Sequence, residues 1–136
     1  MLEQWHADQL LRARKVYSRS LRVDLEQGAD HDYAVESDDG NDHFLLDVRR
    51  SLRNPLKARF QLRYRRDIVL ARLCTSVPHG NPDGTVIGFP HLHKYREGDL
   101  DKWAETVDNF ADPAEALNFF CREINLPEPE LQGGLT

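Results

Sequence analysis

The sequence predicts an α+β domain: an N-terminal helix, a curved antiparallel sheet of about five to six strands, and a C-terminal helix packed on the sheet. Three observations predict it. The first and last segments place apolar residues at helical spacing, and the stretches between them alternate apolar with polar residues. Turn-forming clusters of Gly, Pro, Asn and Asp separate those alternating stretches.

In the first segment Leu2, Trp5, Leu10, Ala13, Val16 and Tyr17 fall on one helical arc, with Glu3, Asp8, Arg14 and Lys15 opposite. "RSLRVDLEQ" then alternates Leu21, Val23 and Leu25 with Arg22, Asp24 and Glu26, the period of a half-buried strand. Tyr33 and Val35 in "DYAVES" predict the next strand, "SDDGND" a turn, and "HFLLDVRRS" a further strand that Asn-Pro in "SLRNPLK" breaks. The best local signal is "KARFQLRYRRDIVLARLCTS". Phe60, Leu62 and Tyr64 alternate with Arg59, Gln61, Arg63 and Arg65, a polar turn falls near Arg66 and Asp67, and "IVLARL" is apolar on both faces. "GDLDKWAETV" predicts a short helix after Gly98. In "DPAEALNFFCREINLP", Asp112 is an N-cap, Pro113 occupies the first helical position, and Glu115 stands where a capping-box acid belongs. Leu117, Phe120, Cys121 and Ile124 form the buried stripe of that helix, and Pro127 and Pro129 end it. A single domain over residues 1–126 with a flexible tail over 127–136 follows.

The length of 136 residues suits one hydrophobic core. No apolar run approaches the length of a membrane span, and the N-terminus lacks the pattern of a secretory signal. Cys74 and Cys121 sit in apolar patterns rather than in a C-x-x-C pair, so buried cytosolic thiols and a cytoplasmic location are expected. The net charge of −5 conceals a segregation. Residues 24–47 hold nine acids and no Lys or Arg, whereas residues 49–72 hold nine bases and one acid, Asp67. Such a basic stripe either neutralises phosphates or pairs with the acidic block across neighbouring strands. The overall acidity speaks against a general DNA coat.

The chemistry concentrates in "PHGNPDGTVIGFPHLHKYREG". There "NPDG" is a type I turn sequence, and strand geometry puts His91, His93 and Tyr95 on one face with Leu92 and Lys94 on the other. One use is metal-independent acid–base catalysis on RNA. His79, His91, His93 and Tyr95 would do the chemistry, and Arg59, Arg63, Arg65, Arg66 and Arg96 would hold phosphate. A second use is a zinc site, because H-x-H on a strand has a chelating bite and His79, Asp83 or His43 would complete it. The spacing H-x11-H-x-H matches no established metal pattern, so no metal and no cofactor is assigned from sequence. A third use is structural, with the histidines bonding backbone groups to fix the loop. Histidine-triad hydrolases are set aside because Tyr95 stands where their third histidine would be.

"RYRRDIVLARL", "PHGNPDG", "HLHKYREG" and "DKWA" together resemble a family of small uncharacterised bacterial proteins, a domain of unknown function often met in prophages and mobile elements. The matching residues are Arg63, Tyr64, Arg72, Pro78, His79, Asn81, Pro82, Asp83, Gly84, His91, His93, Tyr95, Glu97 and Gly98, within roughly residues 57–106. The resemblance implies no defined reaction. It implies a setting of phage, plasmid and host conflict, where small proteins are often RNA-directed toxins or protein-binding inhibitors. The first expectation is therefore a mobile-element protein that acts on RNA as a toxin-type, metal-independent ribonuclease, with an antitoxin as its protein partner. The alternative is a non-enzymatic inhibitor or modulator that binds a host or phage complex through its acidic surface. The third expectation is a small His-ligated metalloprotein.

Overall fold

The computed structural model describes residues 2–132. Its elements in chain order are α1 (Gln4–Arg12), β1 (Lys15–Tyr17), β2 (Asp30–Ser37), β3 (His43–Arg50), β4 (Ala58–Tyr64), β5 (Ile68–Cys74), β6 (His79–Gly80), β7 (Val86–Ile87), β8 (His91–Lys94), β9 (Ala104–Thr106) and α2 (Pro113–Glu123). Seven strands form one open antiparallel sheet in the order β1-β2-β3-β4-β5-β8-β9, and β6 and β7 make a separate small hairpin. The class is α+β, with the predicted N-terminal and C-terminal helices. The strand number exceeds the predicted five to six because β1 and β9 have three residues each, too few for alternation to register in sequence.

Long central strands follow the alternating pattern closely. β4 buries Ala58, Phe60, Leu62 and Tyr64 and turns Arg59, Gln61 and Arg63 outward. Opposite Phe60 and Leu62, β5 supplies Leu73 and Ala71, and β3 supplies Val48 and Leu46. Both helices cover this face: Ala7, Leu10 and Leu11 of α1 and Ala116, Leu117, Phe120 and Cys121 of α2 join one core cluster with the sheet. Asp112 caps α2 as predicted, its carboxylate accepting from Glu115 N at 2.8 Å. None of the described helices is long and apolar enough to cross a membrane.

Three segments differ from the sequence expectation. α1 ends at Arg12 and packs through Ala7, Leu10 and Leu11, which leaves Trp5 63% exposed and hands Val16 and Tyr17 to the edge strand β1. "RSLRVDLEQ" buries Val23 and Leu25 as its alternation requires, yet it joins no sheet, since β1 already occupies the edge of β2. Its one ladder contact is Val23 with Leu131: Val23 N donates to Glu130 O and Gln132 N donates to Val23 O. That contact ties down part of the tail expected over 127–136; residues 133–136 lie outside the described residues. Finally, "GDLDKWAETV" is no helix. Leu100 takes a left-handed φ of 56°, an Arg96–Leu100 bridge closes a turn, and Ala104–Thr106 pairs with β8.

The outer sheet face resolves the charge segregation by pairing. Register puts Asp47 beside Gln61 and Arg49 beside Asp30. Arg63 grips Asp47 with two bonds, Nε to Oδ2 at 2.7 Å and Nη2 to Oδ1 at 2.8 Å, and Gln61 adds a third at 2.8 Å. Arg49 Nε meets Asp30 at 3.0 Å. Acids on β2 and β3 therefore shelter part of the basic block, Arg49 on β3 and Arg63 on β4.

Candidate functional site

Strand register builds the site. β5 and β8 pair so that Cys74 stands opposite His91 and Arg72 opposite His93. With Leu73 and Leu92 on the core side, these four side chains share the outer face of the sheet. An outer face would ordinarily be wet, yet His91 and His93 are each 1% exposed. The β6–β7 hairpin covers them. His79 packs its ring against both, with centroids 4.5 Å from His93 and 5.4 Å from His91, while His91 and His93 lie 4.9 Å apart.

The turn "NPDG" explains how the hairpin is held. Gly84 N donates to Asn81 O, and Gly84 has a left-handed φ of 89°, which a residue without a Cβ adopts at little cost. Asn81 is buried and acts like a strand neighbour to β9: its Nδ2 donates to Ala104 O at 2.8 Å, and Ala104 N donates to its Oδ1 at 2.9 Å. Asn81→Ala is therefore expected to lose about 1–3 kcal/mol, because it orphans two buried backbone groups. Hydrogen exchange should show faster exchange across residues 79–87 and at Ala104, and unchanged exchange there would mean that another contact holds the hairpin.

Each imidazole is oriented by a backbone carbonyl. His91 Nδ1 lies 3.1 Å from Gly88 O, His93 Nδ1 2.7 Å from Asp101 O, and His79 Nε2 2.6 Å from Lys102 O. A carbonyl only accepts, so each of those nitrogens carries the proton. The lone pair is thereby left on Nε2 of His91 and His93 and on Nδ1 of His79. A nitrogen from His91, a nitrogen from His93 and Cys74 Sγ all lie within 4.8 Å of one another. Donors around a tetrahedral zinc ion stand about 3.3–3.8 Å apart, given bonds of about 2.0–2.3 Å. Closing this set on an ion therefore takes shifts of at most about 1 Å. A histidine that gives its second N–H to a carbonyl is also the usual support of a metal-bound imidazole.

Electrostatics keep the donors uncharged when no ion is present. Burial, with the nearby Arg72 cation, pushes His93 down to about 4. Burial also lowers His91, against the opposing pull of the Gly88 carbonyl. The Cys74 thiol is pushed up by burial, an effect that Arg72, Arg59 and Lys57 partly offset.

The other residues predicted from sequence are dispersed. Tyr95 lies one residue beyond β8, sits in the core, and donates its hydroxyl to Leu2 O at 2.6 Å, away from the imidazoles. Strand parity fails there because the strand has ended. Arg63 is engaged by Asp47, while Arg65 and Arg66 form the β4–β5 turn with left-handed φ values of 51° and 70°. Arg65 stacks over Tyr64, and Arg96 stacks over Trp103 and meets Asp99 at 3.6 Å. Arg59, opposite Cys74 in the β4–β5 register, is the one predicted arginine beside the cluster. His43 stands opposite Glu36 in the β2–β3 register, three strands away from β8, and Asp83 caps the turn through Thr85, so neither joins the imidazoles.

Sequence reasoning missed Cys74, which reads as a buried thiol in "IVLARLC". The signal was a pairing: a strand ending in Cys, joined through a loop to H-x-H, puts the thiol opposite the first histidine in an antiparallel register. A family model described as a family of unknown function (DUF6978) matches residues 2–126, beyond the roughly 57–106 that the sequence motifs cover. No curated protein and no solved structure matches the chain.

Proposed function

Because the chain belongs to the family of unknown function DUF6978, its chemistry has to come from its own side chains, and we propose that it is a small metalloprotein holding a zinc-type ion on Cys74, His91 and His93. The observation that carries this reading is the convergence of one thiol and two oriented imidazoles in a covered pocket. A sulfur-and-imidazole set of this kind suits zinc over the hard, oxygen-seeking cations. His79 is the nearest further imidazole and would supply or screen the fourth position. An ion bound there would act as a Lewis acid on whatever occupies that fourth position.

The metal-independent ribonuclease reading has less support. His91 and His93 are too buried to meet a polymeric substrate, His93 stays a neutral imidazole near neutrality and so cannot serve as the acid, and Tyr95 is spent on Leu2. The inhibitor reading draws on the acidic strands, but several of those acids are occupied by Arg49 and Arg63. A mobile-element setting is part of the proposal, and genes flanking the coding sequence test it.

Metal content of purified protein tests the site. About one equivalent of zinc is expected, falling below a tenth in Cys74→Ser and His93→Gln. Cobalt-loaded protein should show a thiolate-to-metal absorption band that Cys74→Ser abolishes. Protein that carries no metal and takes up neither ion after purification would sink the proposal.

A further inference from the structure

Beside Cys74 opens a second feature that the metal reading does not use. A cleft of about 550 Å³ lies between the loop that follows β3 and the segment that follows β5. Its lining includes Arg49, Arg50, Lys57 and Arg59, and Asp30 is its one acid, already bonded to Arg49. Four cations against one engaged acid leave a surplus of positive charge in a concave site.

Two of its donors are conspicuously idle. Among the described residues, Arg50 Nε and Ser76 Oγ, both shielded from solvent, find no hydrogen-bond partner, and both residues line the cleft. A buried donor without an acceptor costs about 1–3 kcal/mol, so a native protein normally supplies one. The rest of the Arg50 guanidinium is fixed, with Nη1 donating to Leu25 O at 3.0 Å and Nη2 to Pro55 O at 2.6 Å. Among the described residues, the side chains of Lys57 and Arg59 make no hydrogen bond or ion pair. The rim is apolar: Leu52 is 73% exposed and Val77 41% exposed, and both line the cleft. Gly28 lets that rim close in, since a Cβ there would stand 3.1 Å from Leu52 Cδ1.

We infer that this cleft binds the phosphate group of a nucleotide, either free or within single-stranded RNA, with the phosphate on Arg50, Ser76, Lys57 and Arg59 and the organic part against Leu52 and Val77. A phosphate offers several acceptor oxygens and a negative charge, which match two idle donors and a cationic wall. A carboxylate would satisfy fewer of them. The inference stands apart from the metal site: it needs no ion, and Cys74 enters only as the wall the two sites share.

Titration of the full-length protein with AMP by calorimetry, and with a fluorescent six-residue oligouridylate by anisotropy, tests it. Lys57→Glu with Arg59→Glu should weaken binding at least tenfold, whereas Arg65→Glu, on the β4–β5 turn, should change it less than twofold. Raising salt from 50 to 200 mM should weaken binding several-fold. Oligouridylate binding at least tenfold tighter than AMP assigns the site to RNA; similar affinities assign it to free nucleotide. Protein stripped of metal by a chelator should bind either probe as untreated protein does, which separates this result from failure of the metal reading. Absence of binding to both probes at millimolar concentration, or an affinity that survives the double charge reversal within twofold, would overturn the inference.

Discussion

Lys15→Ala is expected to lower the free energy of unfolding by about 3–5 kcal/mol, the largest single-residue effect in the fold outside its apolar core. Lys15 is 2% exposed and ties the ends of the two helices together through three backbone carbonyls. Its ammonium donates to Leu11 O and Ala13 O at 2.9 Å and to Ile124 O at 2.7 Å, where the C-terminal ends of α1 and α2 converge. The last carbonyls of a helix have no partner within it, and a cation there also meets the negative end of the helix dipole. The ammonium lies 5.3 Å from the centre of the Phe44 ring, so alanine would also leave a void beneath that ring. Lys15→Met keeps most of the stem packing and removes the donors, and should cost about 1–3 kcal/mol.

Urea unfolding of both variants measures this. Losses under 1 kcal/mol for each would show that water or another donor serves those carbonyls. Alkaline pH offers an independent readout. Burial pushes Lys15 down to about 8, still protonated at neutrality. Between pH 8 and the ordinary lysine value near 10.5, the unfolded chain keeps its proton while the folded protein releases it. Folded stability therefore gains from this group as pH rises through that window and loses it as pH falls back through 8. Lys15→Met lacks the rise.

The same residue shows what the sequence carries and what it withholds. Helix periodicity places Lys15 on the polar side of an N-terminal helix, which predicts solvent. The chain instead leaves the helix at Arg12 and makes Lys15 the first residue of an edge strand, turned inward between two helix ends, one of them at Ile124, 109 positions further along the sequence. No local pattern encodes that meeting. β4, β5 and α2 were legible because each has enough residues for its period to show and its own punctuation, such as Asp112-Pro113. In "RSLRVDLEQ" alternation encodes which side chains face inward, not whether a neighbouring strand stands ready to pair. The candidate site was half legible for the same reason. The shared face of His91 and His93 is a property of one strand, whereas Cys74 joins them through register across a loop of sixteen residues, Thr75 to Pro90.

Metal-free protein is expected to lose on the order of 3 kcal/mol of stability as pH falls from about 6.5 to about 4, and zinc to add stability chiefly near and above neutrality. His93 is held neutral by burial, its proton affinity lowered from 6.5 to about 4, and His91 moves in the same direction. For a base whose folded value is depressed, the unfolded chain takes up the proton first. Its contribution is therefore fully present above 6.5 and disappears as pH falls through the folded value. Acid denaturation monitored by tryptophan fluorescence should show this slope, and His91→Gln with His93→Gln should flatten it. Zinc bound to neutral imidazoles and a thiolate adds stability by mass action, about 2.7 kcal/mol at a free concentration one hundred times the Kd. Because the ion must also displace the Cys74 proton, which burial holds tightly, its benefit shrinks as the solution becomes more acidic. Zinc should consequently raise the melting temperature more at pH 7.5 than at pH 5.5, and Cys74→Ser should remove most of that difference. A zinc effect independent of pH and of Cys74 would place the ion elsewhere on the protein.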